Sequence, residues 1–183
     1  MKLHGQHIFL RALEPSDIDL LYHWENDTAI WKVSNTQTPF SKFILEQYLS
    51  VAYQDIYTTK QLRLIIETVP TDSENKRTIG CIDLFEFDPN HQRAGLGILI
   101  ADKNDRRKNY ATEALKLLIE YCFSTLNLRQ LYCNITSDNE PSILLFQQQG
   151  FEITGIKKQW IRSGSAFKDE LLLQLIRKYT SAE

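Results

Sequence analysis

The stretch Leu99-Ile100-Ala101-Asp102-Lys103-Asn104-Asp105-Arg106-Arg107-Lys108-Asn109-Tyr110-Ala111 decides how the chain is read. It opens as the end of an apolar strand and loses its apolar pattern across Arg106–Tyr110. It then enters residues 111–126, where Leu115, Leu118, Ile119, Cys122 and Leu126 recur at three- and four-residue steps. The first turn of a helix leaves backbone N–H groups without partners and carries partial positive charge, so a strand, loop and helix start in this order form a natural phosphate seat. Arg106, Arg107 and Lys108 add three cations just before it. A solvated basic turn capping a core helix fits the same features equally well. The chain has no Walker-type phosphate loop. Gly95-Leu96-Gly97 lacks the third glycine of a dinucleotide fingerprint and lies inside a strand, where glycine marks a bulge or a close approach of backbone.

Working outward, residues 7–13 read as a strand. Glu14-Pro15-Ser16-Asp17 opens a helix carrying Ile18, Leu21, Tyr22 and Trp24 at near-helical spacing. A second helix starts near Ser41, with Ile44, Leu45, Tyr48, Leu49 and Ala52 on one side. Residues 62–69 and 78–87 are strand-like and joined by a polar loop, residues 70–77. A turn at 89–92 precedes a strand over 94–101. After the helix at 111–126, residues 130–136 form a strand and Asn139-Glu140-Pro141-Ser142 starts another helix, with Pro141 tolerated in its first turn. Gly150 ends that helix as a left-handed cap. Residues 151–161 and 166–176 are two further strands around the turn 162–165. This order predicts one domain over residues 1–183, of mixed α/β (α+β) class, with a central sheet covered by helices.

With 183 residues, 21 Lys+Arg and 23 Asp+Glu, the formal charge is −2, so the basic field that nucleic-acid binding needs is missing. No apolar run approaches a membrane span, and the first residues lack a signal peptide's apolar segment, so a cytoplasmic location is expected. Cys81, Cys122 and Cys133 are odd in number and each lies in an apolar stretch, which predicts reduced core thiols. His4 and His7 have no partners at zinc-site spacing, and no metal is expected.

Two motifs carry a resemblance. Arg106-Arg107-Lys108-Asn109-Tyr110-Ala111-Thr112-Glu113-Ala114-Leu115 resembles the acetyl-CoA loop of GNAT acetyltransferases, Arg/Gln-x-x-Gly-x-Gly/Ala followed by a helix. About thirty residues on, Asn139-Glu140-Pro141-Ser142 through Gly150-Phe151 is similar to the family's second signature, Asn-x-x-Ser, an apolar helix and Gly-Phe. The likeness covers nearly the whole chain. It is nearest to ribosomal-protein N-terminal acetyltransferases and spermidine (diamine) N-acetyltransferases.

The resemblance implies a GNAT fold with two strands, 94–101 and 130–136, splayed around the pantetheine arm of acetyl-CoA, the co-substrate. It implies backbone amides of Arg107, Lys108, Asn109, Tyr110 and Ala111 on the pyrophosphate, with Arg106 and Lys108 adding charge. Main-chain groups of Gly97, Ile98 and Leu99 would meet the arm and the acetyl oxygen, Asn139 would bond the arm, and Phe146 and Ser142 would lie beside the cofactor.

Three departures stand out. Family glycines are replaced by Arg107 and Asn109, of which Asn tolerates the left-handed region well. Phe146 stands where many relatives carry a proton-donating tyrosine, leaving Ser142 as the candidate acid, or merely a helix cap. Gly95 replaces a common acidic residue, leaving Asp83, Glu86 or water as the base. Strict alternation would put Asp83 and Glu86 on opposite sides of their strand.

The implied reaction is direct attack of a neutral amine on the thioester. A relay through Cys133 is disfavoured, since burial raises a thiol's pKa. Residues 33–40 contain none of the acids that spermidine-type enzymes carry there. The acceptor therefore remains open among a polyamine, another small amine, a protein N-terminus and an amino-sugar. A non-catalytic acyl-CoA-binding regulator is the reading from a different class. Similar proteins are commonly homodimers, and the sequence leaves the oligomeric state open.

Overall fold

A computed structural model describes residues 3–34, 36–51, 54–71 and 75–178. Among them one sheet is built from β1 (Ile8–Ala12), β2 (Leu62–Thr68), β3 (Thr78–Asp88), β4 (Arg93–Ile100), β5 (Gln130–Thr136), β6 (Glu152–Ser163) and β7 (Ala166–Ile176). Its spatial order is β1-β2-β3-β4-β5-β7-β6. Every neighbouring pair is antiparallel except β4–β5. The helices are α1 (Ile18–Glu25), α2 (Thr28–Ser34), α3 (Lys42–Val51), α4 (Ile56–Thr59), α5 (Tyr110–Ser124) and α6 (Glu140–Gln148).

Strand alternation sorts the central side chains into two cores. Leu64, Ile66, Ile82, Leu84 and Leu96 pack with Leu115, Leu118 and Cys122 of α5 and with Phe146 of α6. Ile65 and Cys81 point the other way, onto Leu21, Trp24, Ile30 and Leu45 of α1, α2 and α3. Both faces of β2 are thus covered, which explains why Leu64 through Thr68 are buried without a break. Arg11 ties the start of the fold together. Its guanidinium donates to Asp17 (2.7 and 2.8 Å) and to Glu67 on β2 (2.7 Å), two buried carboxylates. Burial works against their charge, but the Arg11 bonds prevail and hold both carboxyls below the ordinary carboxylate range.

The sequence reading places every strand and the helices α1, α3, α5 and α6 within a few residues. Gly150 has the expected left-handed φ of +88°. The short helices α2 and α4 were not read, because segments of 7 and 4 residues carry too few turns to show a period. Asp55 nevertheless caps α4, accepting from the amides of Tyr57 and Thr58. Ala52 in the predicted second helix, Asn35, and residues 72–74 of the predicted loop lie outside the described residues.

Candidate active site

The parallel pairing of β4 and β5 is short. Arg93, Ala94 and Gly95 face Gln130, Leu131 and Tyr132, and there it stops. Beyond that point β4 stays with β3 as far as Ile100, while β5 stays with β7 as far as Thr136. The two strands splay, opening a cleft whose apex is the Gly95–Tyr132 pair. The backbone lining this cleft follows from alternation. Ala101 donates to the Ile79 carbonyl (3.0 Å), so in the regular register of 95–100 with 80–85 the main-chain groups of Leu99 and Gly97 also turn toward β3. Those of Leu96, Ile98 and Ile100 turn to the cleft. Of Gly97, Ile98 and Leu99, then, Ile98 alone presents its main-chain amide to the opening. The Ile100 carbonyl, facing the same way, accepts from Arg106 Nε at 3.2 Å.

At the open end of the cleft lies the basic loop. Arg107 and Asn109 both adopt left-handed backbone, with φ of +62° and +67°, at the two positions where the sequence resembles a glycine-bearing motif. Asn109 precedes α5 without a side-chain cap, and the first helical bond is Glu113 N–H to the Asn109 carbonyl (3.1 Å). Among the described residues, the amides of Arg107, Lys108, Asn109, Tyr110, Ala111 and Thr112 therefore donate to nothing in the protein, a cradle suited to phosphate oxygens. The cations are less free than the sequence suggests. Arg106 is laid along the end of β4, and Lys108 reaches Asp105 at 3.3 Å. Asp105 is buried and also accepts both guanidinium nitrogens of Arg77 (2.9 and 3.1 Å), which holds its carboxyl below the ordinary range.

On the sheet face away from α5, Asp83 sits opposite Gly97 and Phe85 opposite Gly95. The glycines make room. A Cβ on Gly95 would lie 2.2 Å from the Phe85 ring, and one on Gly97 would lie 3.7 Å from it. Asp83 is not a free base, because Arg63 forks onto it (2.7 and 3.0 Å) and donates a third bond to Glu25 (2.6 Å). Burial opposes the Arg63 charge, yet Asp83 pushes its pKa upward, so the guanidinium is permanently charged. Tyr48, Gln61, Leu62, Arg63, Asp83, Leu84 and Phe85 line a cavity of about 240 Å³ here.

The expected opposition of Asp83 and Glu86 does not hold. A bulge between Phe85 and Asp88, with Glu86 at φ +49°, breaks the alternation. The Glu86 carboxylate instead accepts a hydrogen bond from the hydroxyl of Tyr132, whose ring meets Phe85 edge-on at 6.1 Å on Asp83's side of the sheet.

Across the cleft, the Asn139 side chain accepts from the Ser142 amide (3.4 Å) and caps α6. Asn139 is thus the cap, and Ser142 is the third residue of the helix, its hydroxyl making no hydrogen bond among the described residues. Phe146, expected beside the cofactor, is 3% exposed and packs edge-on against Phe151 at 5.0 Å; its apolar ring gains more from the core. The Cys133 thiol is pushed up to about 12 by burial and is no nucleophile at neutral pH. No group of three or more His, Cys, Asp or Glu suited to a metal occurs among the described residues, and no helix of them is long and apolar enough to cross a membrane.

Sequence reasoning missed Tyr132, Phe85, Arg63 and Glu25. The first is signalled only once β5 is paired with Gly95, and the other three only once β2, β3 and α1 are assembled.

A mixed sheet that parts at one parallel pair, with an uncapped helix start at the open end, is the arrangement expected of an acyl-CoA-dependent transferase. Residues 7–152 match the model of the acetyltransferase (GNAT) domain, and the chain belongs to that family. It is 29% identical over 147 residues to a spermidine N(1)-acetyltransferase of Escherichia coli, covering 80% of this chain and 73% of the relative. An uncharacterised N-acetyltransferase of Bacillus licheniformis is 25% identical over 176 residues, 96% of each chain. In fold it resembles the spermidine N-acetyltransferase of Vibrio cholerae, solved in complex with CoA and spermine, with a TM-score of 0.82 at 22% identity over 92% of this chain and 95% of that one. The chain is an acetyl-CoA-dependent N-acetyltransferase that acetylates amines.

Proposed function

We propose that the acceptor is a small primary amine bound in the cavity beside Gly97, with polyamines the first class to test. The observation that carries this reading is the size and charge of that cavity. About 240 Å³ admits only a small molecule, and Asp83 on its lining shares the Arg63 guanidinium with Glu25 of α1, so two carboxylates against one cation favour an ammonium group there. The names of the relatives support polyamines. The acid-free stretch at residues 33–40 argues for acceptors of lower charge than spermine.

In this reading acetyl-CoA supplies an activated acetyl thioester, and the protein's part is binding, polarisation and proton transfer. The amides of Arg107, Lys108, Asn109, Tyr110 and Ala111 take the pyrophosphate, with Arg106 and Lys108 adding positive charge nearby. The Ile98 amide polarises the acetyl oxygen, and Gly97 and Leu99 hold that strand in register with β3. Asn139, its carbonyl oxygen used in the cap, offers its NH₂ group to the arm. Glu86 is the base, since Arg63 occupies Asp83, and Ser142 protonates the departing thiolate. The whole of residues 1–183 works as one such domain in the cytoplasm, where its three buried thiols stay reduced. Exposed Ile156, Trp160 and Phe167 on the outer hairpin suit a homodimer.

The test is CoA release from acetyl-CoA with a panel of spermidine, short diamines, monoamines, an amino-sugar and a peptide with a free N-terminus. Turnover with the small amines and none with the peptide is the expected result. A preference for the peptide overturns the proposal.

A further inference from the structure

We propose that Tyr132 is a proton relay in the acetyl transfer, taking the acceptor's proton on its hydroxyl oxygen as its own hydroxyl proton passes to Glu86. The inference rests on the acetyltransferase reading and adds a residue to it. Tyr132 is the last residue of β5 paired with β4, so it marks the apex of the cleft. A donor whose phosphates sit on the amides at the cleft's open end, and whose arm follows the parted strands inward, brings its thioester to that apex.

The side chain of Tyr132 lies on the acceptor's side of the sheet, next to Phe85, which itself lines the acceptor cavity. Gly95 puts no side chain between them. Of the two carboxylates in reach, Asp83 is locked in the Arg63 fork, while Glu86 is exposed to solvent and already accepts a hydrogen bond from the Tyr132 hydroxyl. The other charged neighbour is Arg93 on β4, which pairs with Asp88 at 3.4 Å; β7 offers only neutral Gln174 opposite. Burial and the Glu86 bond keep the phenol protonated well above its ordinary range. A relay needs this, because the hydroxyl must pass one proton on while its oxygen accepts another. The bulge at Glu86 is what turns the carboxylate to this position, and it gives the left-handed Glu86 backbone a purpose.

The balance is as follows. The acceptor ammonium loses one proton through Tyr132 to Glu86, which returns it to water. The freed nitrogen lone pair forms the C–N bond, the C–S bond breaks, and the second N–H proton ends on the CoA sulfur. The products are the acetamide, CoA thiol and one released proton.

Tyr132→Phe keeps the ring and removes the relay. With an alkylamine acceptor, kcat should fall about 10²-fold or more while acetyl-CoA affinity by calorimetry is unchanged. With an arylamine or acylhydrazide acceptor, neutral at assay pH, the loss should nearly vanish, since no proton need leave before attack. Glu86→Gln should reproduce the alkylamine loss, and the double variant should lose no more than either alone.

In the protein without donor, ultraviolet titration should show Tyr48, Tyr121 and Tyr132 ionising above the ordinary tyrosine range, the last of these transitions being that of Tyr132. Glu86→Gln should bring it down, and Tyr132→Phe should abolish it. Wild-type turnover of alkylamines by Tyr132→Phe, or an equal loss with both acceptor classes, overturns the relay. Should the wild type acetylate peptides in place of small amines, the acceptor reading fails, and the same comparison run on the peptide still decides the role of Tyr132.

Discussion

Gly95→Ala tests the central packing arrangement of the site. The added Cβ would lie 2.2, 2.6 and 2.7 Å from three carbons of the Phe85 ring, where contact normally begins near 3.4 Å. The ring cannot swing freely, because Tyr132 stands edge-on to it at 6.1 Å. Overpacking of this kind costs about 1–3 kcal/mol, and each kcal/mol lowers Tm by about 2–4 °C in a chain of this length. The measurement is urea unfolding of wild type, Gly95→Ala, Phe85→Leu and the double variant. Phe85→Leu removes the ring edge that the methyl would strike, so the double variant should recover most of the Gly95→Ala loss, a coupling of about 1 kcal/mol or more. Gly80→Ala is the control. There the added Cβ would meet the Leu99 carbonyl oxygen at 1.9 Å, a backbone atom that no side-chain change removes, and Phe85→Leu should not rescue it. Wild-type stability in Gly95→Ala, or the same loss in the Phe85→Leu background, would refute the assignment.

Arg107→Gly should raise stability by about 1 kcal/mol or less, because it relieves a left-handed non-glycine backbone at some cost in unfolded-chain entropy; denaturant midpoints measure it. Asp105→Asn should flatten the acid limb of the stability curve. Its carboxyl is depressed by Arg77 and then Lys108, so its contribution is present above the unfolded value near 3.8 and is lost as pH falls through the lower folded value; unfolding at pH 2–6 reads the difference. Asn139→Ala should cost about 1 kcal/mol through the lost cap. Ser142→Ala, which is not the cap, should leave stability nearly unchanged and lower turnover about tenfold if it protonates the thiolate; unchanged turnover leaves that step to water.

Much of the fold was legible because strands and long helices advertise themselves within a few residues. The apolar steps from Leu115 to Leu126 and the β-branched and apolar runs of β2 and β3 are local signals, set by side-chain direction. The turn before α5 and the cap of α6 were legible for the same reason, since loop, helix start and Asn139 each lie in one continuous segment. The left-handed backbone at Asn109 follows from the residue type that replaces a glycine. The alternation argument for Asp83 and Glu86 was sound for a regular strand and failed at a bulge that no residue in residues 83–88 announces.

By itself, then, the sequence determined the order of the strands and the longer helices, the basic turn before α5 and the kind of chemistry. Tertiary structure alone decided where β4 and β5 part, because a parallel register joins residues 93–95 to 130–132 across an intervening helix, and nothing local to either strand specifies it. It alone decided that Arg63 neutralises Asp83, that Phe146 turns into the core, and that Tyr132 stands at the apex holding Glu86. Each of these depends on which side chains from distant segments compete for the same space or charge, and that competition exists only in the assembled sheet.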